Sequence, residues 1–285
     1  MAGKTWEELT IQDNFVFGKS METAPEICKW LLEKILRIQI KELAYPEREK
    51  AIDVRRDSKG IRLDVFVKEI DGEYSFDLEM QVIGHDDLPR RIRYYQGLID
   101  MDAMDKGHFY WMLGKTVIIF ICTFDYFGQG RHIYTFHQRC DEDSSIELMD
   151  GTTKIFLNAC GTLDDTDDDL KAFLDYVAGK QVNHPVVNRL DSVVQKVKRN
   201  KEWRSEYMRY EHELAAREHL AREDGREEGK IEMILELLRK NQPLSFISEV
   251  SKYSVDKIAE IGRMNGLAIT SGICRERKSF PFGKF

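Results

Sequence analysis

Asp64 and Glu79 occupy positions from which two carboxylates could grip one divalent cation. The segments IRLDVFVKEI (61–70) and EYSFDLEMQV (73–82) alternate with a period of two and flank Asp71-Gly72. Alternating runs on either side of an Asp-Gly dipeptide specify a β-hairpin. With Asp71-Gly72 as a two-residue loop, Ile70 faces Glu73, Asp64 lies opposite Glu79, and Arg62 lies opposite Gln81. Successive side chains of a strand point to opposite faces. Arg62, Asp64, Asp77, Glu79 and Gln81 therefore share one face, and Leu63, Val65, Val67, Leu78, Met80 and Val82 form an apolar face that packs on the core.

Carboxylates facing each other across two strands hold their Cβ atoms about 4.5–5.5 Å apart, and like charges so placed are destabilising. A hard cation such as Mg²⁺ would compensate directly, taking carboxylate oxygens while keeping several of its waters. A water on such an ion has a lowered pKa and can attack a phosphodiester, while the ion offsets charge on the phosphorus oxygens. Gln81, on the same face, is placed to hold that water or a phosphate oxygen. The same pattern fits a plainer arrangement, in which the polar residues are the wet side of a sheet and Arg62 neutralises Asp64 or Glu79. Spacing alone leaves both readings open.

The elements around the hairpin have their own signals. A helix is expected from Pro25, with Ile27, Trp30, Leu31, Lys34 and Ile35 along one stripe, and a second from Pro89 to Met104. KTVIIFIC (115–122) reads as a buried strand, and HIYTFH (132–137) and KIFLN (154–158) as shorter ones. Asp164, Asp165, Asp167, Asp168 and Asp169 crowd the approach to a helix near Leu170. Negative charge favours a helix N-terminus, and the run lacks the Gly and closing Glu of a calcium loop. From Arg189 to Lys240 the chain is rich in charge and alanine and free of proline, as in long solvated or coiled-coil helices. Beyond Pro243, two short helices parted at residues 252–254 suit a small capping pair better than a helix-turn-helix.

A net charge of −7, from 43 Lys and Arg against 50 Asp and Glu, argues against a protein that coats nucleic acid over its whole surface. A phosphate-bearing partner would need a local basic patch. Arg90, Arg91 and Arg93, with Tyr94 and Tyr95, supply one at the start of the Pro89 helix. Arginine suits bidentate phosphate contacts, and the rings could pack on sugars or an unstacked base. The alternative has Tyr94 or Tyr95 in the core and the arginines paired with Asp86 and Asp87. Five widely spaced cysteines without a Cys-x-x-Cys pair favour reduced thiols over a zinc ribbon or disulfide framework. The opening MAGKTWEELT has no basic-then-apolar leader, and the longest apolar run, Val117 to Cys122, is too short for a bilayer. The expectation is a soluble cytoplasmic protein with no membrane contact.

RLDVFV followed by DLEMQ resembles the PD-(D/E)XK nuclease signature, an Asp on one hairpin strand and Glu-x-Lys or Glu-x-Gln on the next. Three further segments, DNFVFGKSM (13–21), LPRRIRYYQGLID (88–100) and KTVIIFICTFDYFGQGRHIYTF (115–136), are similar to one branch, the recombination-promoting nuclease (Rpn) and transposase family. The likeness spans residues 8–180. It implies an α/β fold with a restriction-endonuclease-like core, a mixed central sheet flanked by helices. A helical C-terminal extension (187–268) and a disordered tail (269–285) would follow. It also implies that Asp64 and Glu79 bind Mg²⁺, or Mn²⁺ in its place. Gln81 takes the position of the usual Lys, and Asp13 completes the site. The implied activity is DNA endonuclease action that promotes recombination or mobile-element movement, with the C-terminal helices open to homo-oligomer formation. Two departures stand out. Leu63 precedes Asp64 where the signature has Pro, and Gln81 removes a positive charge, leaving water activation more dependent on metal. The rival readings are a catalytically weak or inactive member that serves as a DNA- or protein-binding module, and a nuclease directed at RNA.

Overall fold

The computed structural model describes residues 4–52, 60–270 and 273–276. A mixed sheet is built from β1 (Glu47–Ile52), β2 (Ile61–Lys68), β3 (Tyr74–Gln81), β4 (Lys115–Cys122), β5 (Ile133–Phe136) and β6 (Thr152–Asn158). The strand order is β1-β2-β3-β4-β6-β5. The central β3-β4-β6 pairs are parallel and the outer pairs antiparallel. Around it lie α1 (Asn14–Thr23), α2 (Pro25–Leu36), α3 (Leu88–Ala103), α4 (Asp168–Val177) and α5 (Pro185–Arg199). A mixed central sheet flanked by helices is the α/β architecture that the resemblance implied.

The hairpin has the expected register and a different turn. β2 pairs with β3 from Lys68 and Ser75 to Val65 and Leu78. Glu69 N donates to Tyr74 O at 2.9 Å, so the loop covers residues 70–73 rather than two residues. Ile70 N turns away to donate to Glu42 O at 2.9 Å, which removes Ile70 from the expected pairing with Glu73. Lengthening a loop by one residue on each side leaves every other pair intact, which is why the register survives. Asp71 takes the left-handed conformation (φ 51°) inside this loop, a region that Asp tolerates better than most side chains.

Both faces of the hairpin are covered. Leu88, Ile92, Tyr95, Leu98 and Ile99 of α3 recur at helical spacing and pack on Phe66, Ile118, Phe120, Cys122 and Phe156. Asp77, Glu79 and Gln81 pair with Ile118, Phe120 and Cys122, so they face α3 rather than water. On the other face Val65, Val67, Leu78 and Met80 are buried as well. The reading of the polar residues as a wet sheet surface is thereby overturned. Arg62 is exposed and pairs with Glu49 at 3.6 Å instead of neutralising Asp64 or Glu79. Val82, one residue past the end of β3, is also exposed instead of packing on the core.

α1 and α2 follow from residue type. The segment 14–23 carries no clean stripe, because Phe15, Val16, Phe17, Gly18, Lys19, Ser20 and Met21 are all buried against neighbouring elements. α2 opens at Pro25, and Ile27, Leu31 and Ile35 of the expected stripe are buried, with Cys28 and Leu32 beside them. At α4 the aspartate run acts as a cap: Asp167 accepts from Leu170 N at 2.8 Å.

The chain divides into two compact units at Tyr207 and Met208. The first reaches well past the expected boundary near residue 180. Val187, Leu190, Val194 and Val197 of α5 are buried. Trp6 Nε1 donates to Lys198 O at 2.9 Å, and Lys198 Nζ donates to Glu7 O and Leu9 O at 2.8 Å. The long helix α6 (Lys201–Arg239) begins in this unit, where the Tyr207 ring lies 5.5 Å from Trp6 in a tilted contact and 5.3 Å from Phe15 edge to face.

In the second unit the rest of α6 joins α7 (Leu244–Ser251) and α8 (Val255–Met264). Ile234, Leu238, Leu244, Ile247, Ile258 and Ile261 form their core. β7 (Leu267–Thr270) pairs antiparallel with β8 (Ile273–Glu276), within the stretch where a disordered tail was expected. Residues 271–272 and 277–285 of that tail lie outside the described residues. Among the described residues no helix is long and apolar enough to cross a membrane.

Candidate active site

At Asp64 and Glu79 the β2–β3 ladder exchanges backbone for side-chain bonding. Asp64 N donates to Glu79 Oε1 at 2.9 Å, and Met80 N donates to Asp64 Oδ2 at 3.0 Å. Each carboxylate thus accepts from a backbone N–H of the facing strand. The other neighbour of β2 is disturbed at the same level. β1 pairs Arg48 with Val65 and Lys50 with Leu63, and Glu49 between them sits in the left-handed region (φ 54°). A non-glycine residue held there costs about 1–2 kcal/mol, and such outliers gather at functional sites.

Four polar side chains are buried together in this region, with exposures of 8% for Asp64, 0% for Asp77, 1% for Glu79 and 5% for Gln81. Their partners come from two helices. Asn14, first residue of α1, donates through Nδ2 to Asp64 Oδ1 at 2.9 Å. Arg91, in the first turns of α3, places Nη2 3.1 Å from Glu79 Oε2 and donates through Nη1 to Gln81 Oε1 at 3.0 Å. Its Nε donates to Tyr95 Oη at 2.9 Å. Among the described residues neither oxygen of Asp77 has a hydrogen-bond partner.

The electrostatics follow from burial. Loss of solvent pushes the Asp64 carboxyl up to about 6, against the opposing pull of the Met80 N–H and the Arg91 charge. Burial raises Glu79 well above the usual carboxylate range, and the charges of Asp64 and Asp77 add to it. Asp77 is raised in the same way, by burial and then by Asp64. Burial works against the charge of Arg91, but Tyr95, Glu79 and Asp64 together outweigh it and hold the guanidinium protonated.

These residues fit a hard divalent ion. The donors are carboxylate oxygens, and the raised pKa of all three carboxyls, with the Asp77 oxygens lacking a hydrogen-bond partner among the described residues, marks a cluster whose charged form the surrounding groups do not fully compensate. Among the described residues no group of three or more His, Cys, Asp or Glu side chains is arranged to hold an ion. Two carboxylates, Asp64 and Glu79, are a share compatible with a hard divalent ion that completes its shell with water.

Of the residues singled out by sequence, Asp64, Glu79 and Gln81 come together. Asp13 does not join them. Its carboxylate accepts from Lys4 Nζ and from Thr10 N, both at 2.7 Å, just ahead of α1. Asp13 is the N-cap, with extended backbone (φ −85°, ψ 125°), and the next residue, Asn14, opens the helix and is the one that reaches Asp64. The basic cluster is divided by the rotation of about 100° per residue along α3. Arg90, Arg93 and Tyr94 are exposed, whereas Arg91 turns in and Tyr95 is buried. They line an open cavity of about 800 Å³ with Arg62, Gly97 and Met101. Asn14 was missed although it is the second residue of the DNFVFGKSM segment. Asp77 was on the polar face but had no assigned role, because its burial is invisible to spacing.

Residues 14–172 match a family model described as PD-(D/E)XK nuclease family transposase. No curated protein and no solved structure matches the chain.

Proposed function

The chain belongs to the PD-(D/E)XK nuclease family, whose transposase model covers more than half of it, and on that premise we propose that it is an endonuclease hydrolysing DNA phosphodiester bonds with Mg²⁺, or Mn²⁺ in its place. The observation that carries the reading is the reciprocal exchange across the hairpin, in which each of two buried carboxylates takes a backbone N–H from the other's strand. That exchange holds both side chains in fixed positions while leaving lone pairs free on their oxygens. Asp64 and Glu79 would hold the ion. When bound there, it supplies a water of lowered pKa and offsets charge on the phosphorus oxygens.

The protein's own groups do the rest. Asn14 and the Met80 N–H orient Asp64, and the Asp64 N–H orients Glu79. The Gln81 amide is placed to hold the attacking water or a phosphate oxygen. Arg90 and Arg93, exposed on α3, give an acidic protein the local positive charge that a DNA backbone requires. Tyr94 offers a ring to a sugar or an unstacked base. Cys28, Cys122, Cys140 and Cys160 are free thiols, in keeping with a cytoplasmic setting. Promotion of recombination or mobile-element movement, and self-association through the second unit, extend the same reading.

Nicking of supercoiled plasmid in Mg²⁺ or Mn²⁺ tests it. Asp64→Ala and Glu79→Ala are each expected to lower the rate by about a hundredfold or more, the several kcal/mol that an ion contributes to the transition state. Calorimetric Mn²⁺ binding should fall with it. Variants that nick and bind Mn²⁺ as the parent does would remove the site from consideration, and cleavage of RNA in preference to DNA would change the substrate class.

A further inference from the structure

We propose that Arg91 is the positioning cation of this site, and that Arg91 and Gln81 together replace the lysine absent from β3. The inference rests on the nuclease reading and assigns Arg91 a task distinct from that of its neighbours on α3.

Three observations carry it. The first is direction. Residues 91 and 95 lie one turn apart on the buried side of α3, and the Arg91 fork ends on Glu79 at 3.1 Å and on Gln81 at 3.0 Å. Arg90 and Arg93 are exposed. The second is charge. Among the described residues, Arg91 is the positive charge that bears on Asp64, Asp77 and Glu79 alike. The third is restraint. Its guanidinium lies over the Tyr95 ring at 5.1 Å and near Phe120 at 5.7 Å, and its Nε is tied to Tyr95 Oη. A guanidinium held by two rings and three hydrogen bonds is pre-organised in the manner of an active-site group.

The consequence for Gln81 follows from donor chemistry. A guanidinium has donors only, so the amide atom facing Arg91 must be the carbonyl oxygen. Gln81 Nε2 is thereby turned away from Arg91, 3.5 Å from Glu79 Oε2. Without Arg91 the amide could rotate and present an acceptor to the site. With it, the site receives an N–H donor backed by a full positive charge, which is what a lysine ammonium provides in one residue. Arg91 acts through Gln81 and Glu79, and it remains protonated throughout, so it takes no part as a general base.

The test uses the full chain and steady-state nicking. Arg91→Gln is expected to lower kcat by about a hundredfold, the size of effect that follows loss of one preorganised donor to developing charge, with KM for DNA changed less than about threefold. Arg90→Ala and Arg93→Ala are expected to raise KM instead. Arg91→Lys keeps the charge and loses the fork, and should fall between Arg91→Gln and the parent. The decisive variant is the double exchange Arg91→Gln with Gln81→Lys, which returns the cation to β3 and should recover at least about tenfold over Arg91→Gln. Circular dichroism reports whether each variant is folded. A rise in KM with kcat intact for Arg91→Gln would overturn the proposal, as would a folded double variant no faster than the single one. Were the parent and Asp64→Ala alike unable to nick DNA, the nuclease reading would fail and take this inference with it.

Discussion

One helix covers two unlike halves of the same sheet face. Toward β4, β6 and β5, the rings of Phe120, Phe156, Tyr126, Phe127, Tyr134 and Phe136 meet one another at centroid separations between 4.7 and 6.0 Å, several of them edge to face. Toward β2 and β3, the same layer holds Asp64, Asp77, Glu79 and Gln81, all buried like Phe120 and Phe156, whereas Tyr126, Phe127 and Tyr134 are partly buried and Phe136 is exposed. Burial of aromatic surface is favourable and edge-to-face pairs add to it. Burial of carboxylates is unfavourable unless each is paired. The aromatic half therefore holds α3 on the sheet, and the acidic half uses that anchorage to keep charges where they would not otherwise stay. Arg91 and Tyr95 stand on the seam, since the Tyr95 ring meets Phe120 at 6.3 Å while its hydroxyl meets Arg91.

The comparison breaks most readily on the aromatic side. Phe120→Ala empties a fully buried position and should cost about 3–5 kcal/mol in denaturant unfolding, with activity falling as α3 loosens over the site. Retention of full stability would mean that the acidic half contributes more to the fold than its chemistry allows.

Asp77→Asn sharpens the comparison from the other side. A carboxyl whose pKa is raised by folding binds its proton more tightly in the native chain, so its penalty is absent below about pH 4 and grows as pH rises through the folded value. The variant should therefore match the parent near pH 4 and exceed it by about 1–3 kcal/mol at pH 7–8, read from paired thermal melts without divalent ions. Added Mn²⁺ should narrow the difference at high pH by offsetting charge in the parent. A gap that does not change with pH would show that Asp77 is compensated in some other way.

Tyr95→Phe separates the two halves with the smallest change. The ring contact with Phe120 survives and the hydrogen bond to Arg91 does not. A loss of about 0.5–1.5 kcal/mol is expected, with a modest fall in nicking rate as Arg91 gains freedom. A loss as large as that of Phe120→Ala would place the hydroxyl, and not the ring, at the centre of the packing.

The hairpin, its register and the cluster of Asp64, Glu79 and Gln81 were legible in the order of residues. Period-two alternation around a turn dipeptide leaves one pairing that puts like with like, and that pairing does not depend on whether the loop holds two residues or four. The same holds for the Pro25 helix, the aspartate cap of α4 and the apolar run of β4. Each is set by neighbours within a turn or a strand.

Other features needed the packed molecule. Whether the polar face of β2 and β3 meets water depends on α3 docking over it, and nothing within residues 61–82 encodes that. Which of three arginines turns inward depends on the angle at which the helix lies, and Asn14 rather than Asp13 reaches Asp64 because Asp13, at the N-cap, is taken up by Lys4 and Thr10. The inclusion of α5 with the first unit rests on Trp6 and Lys198 meeting across almost the whole of that unit. Local preference acts over a few residues, whereas coverage, orientation and charge compensation arise where distant segments meet.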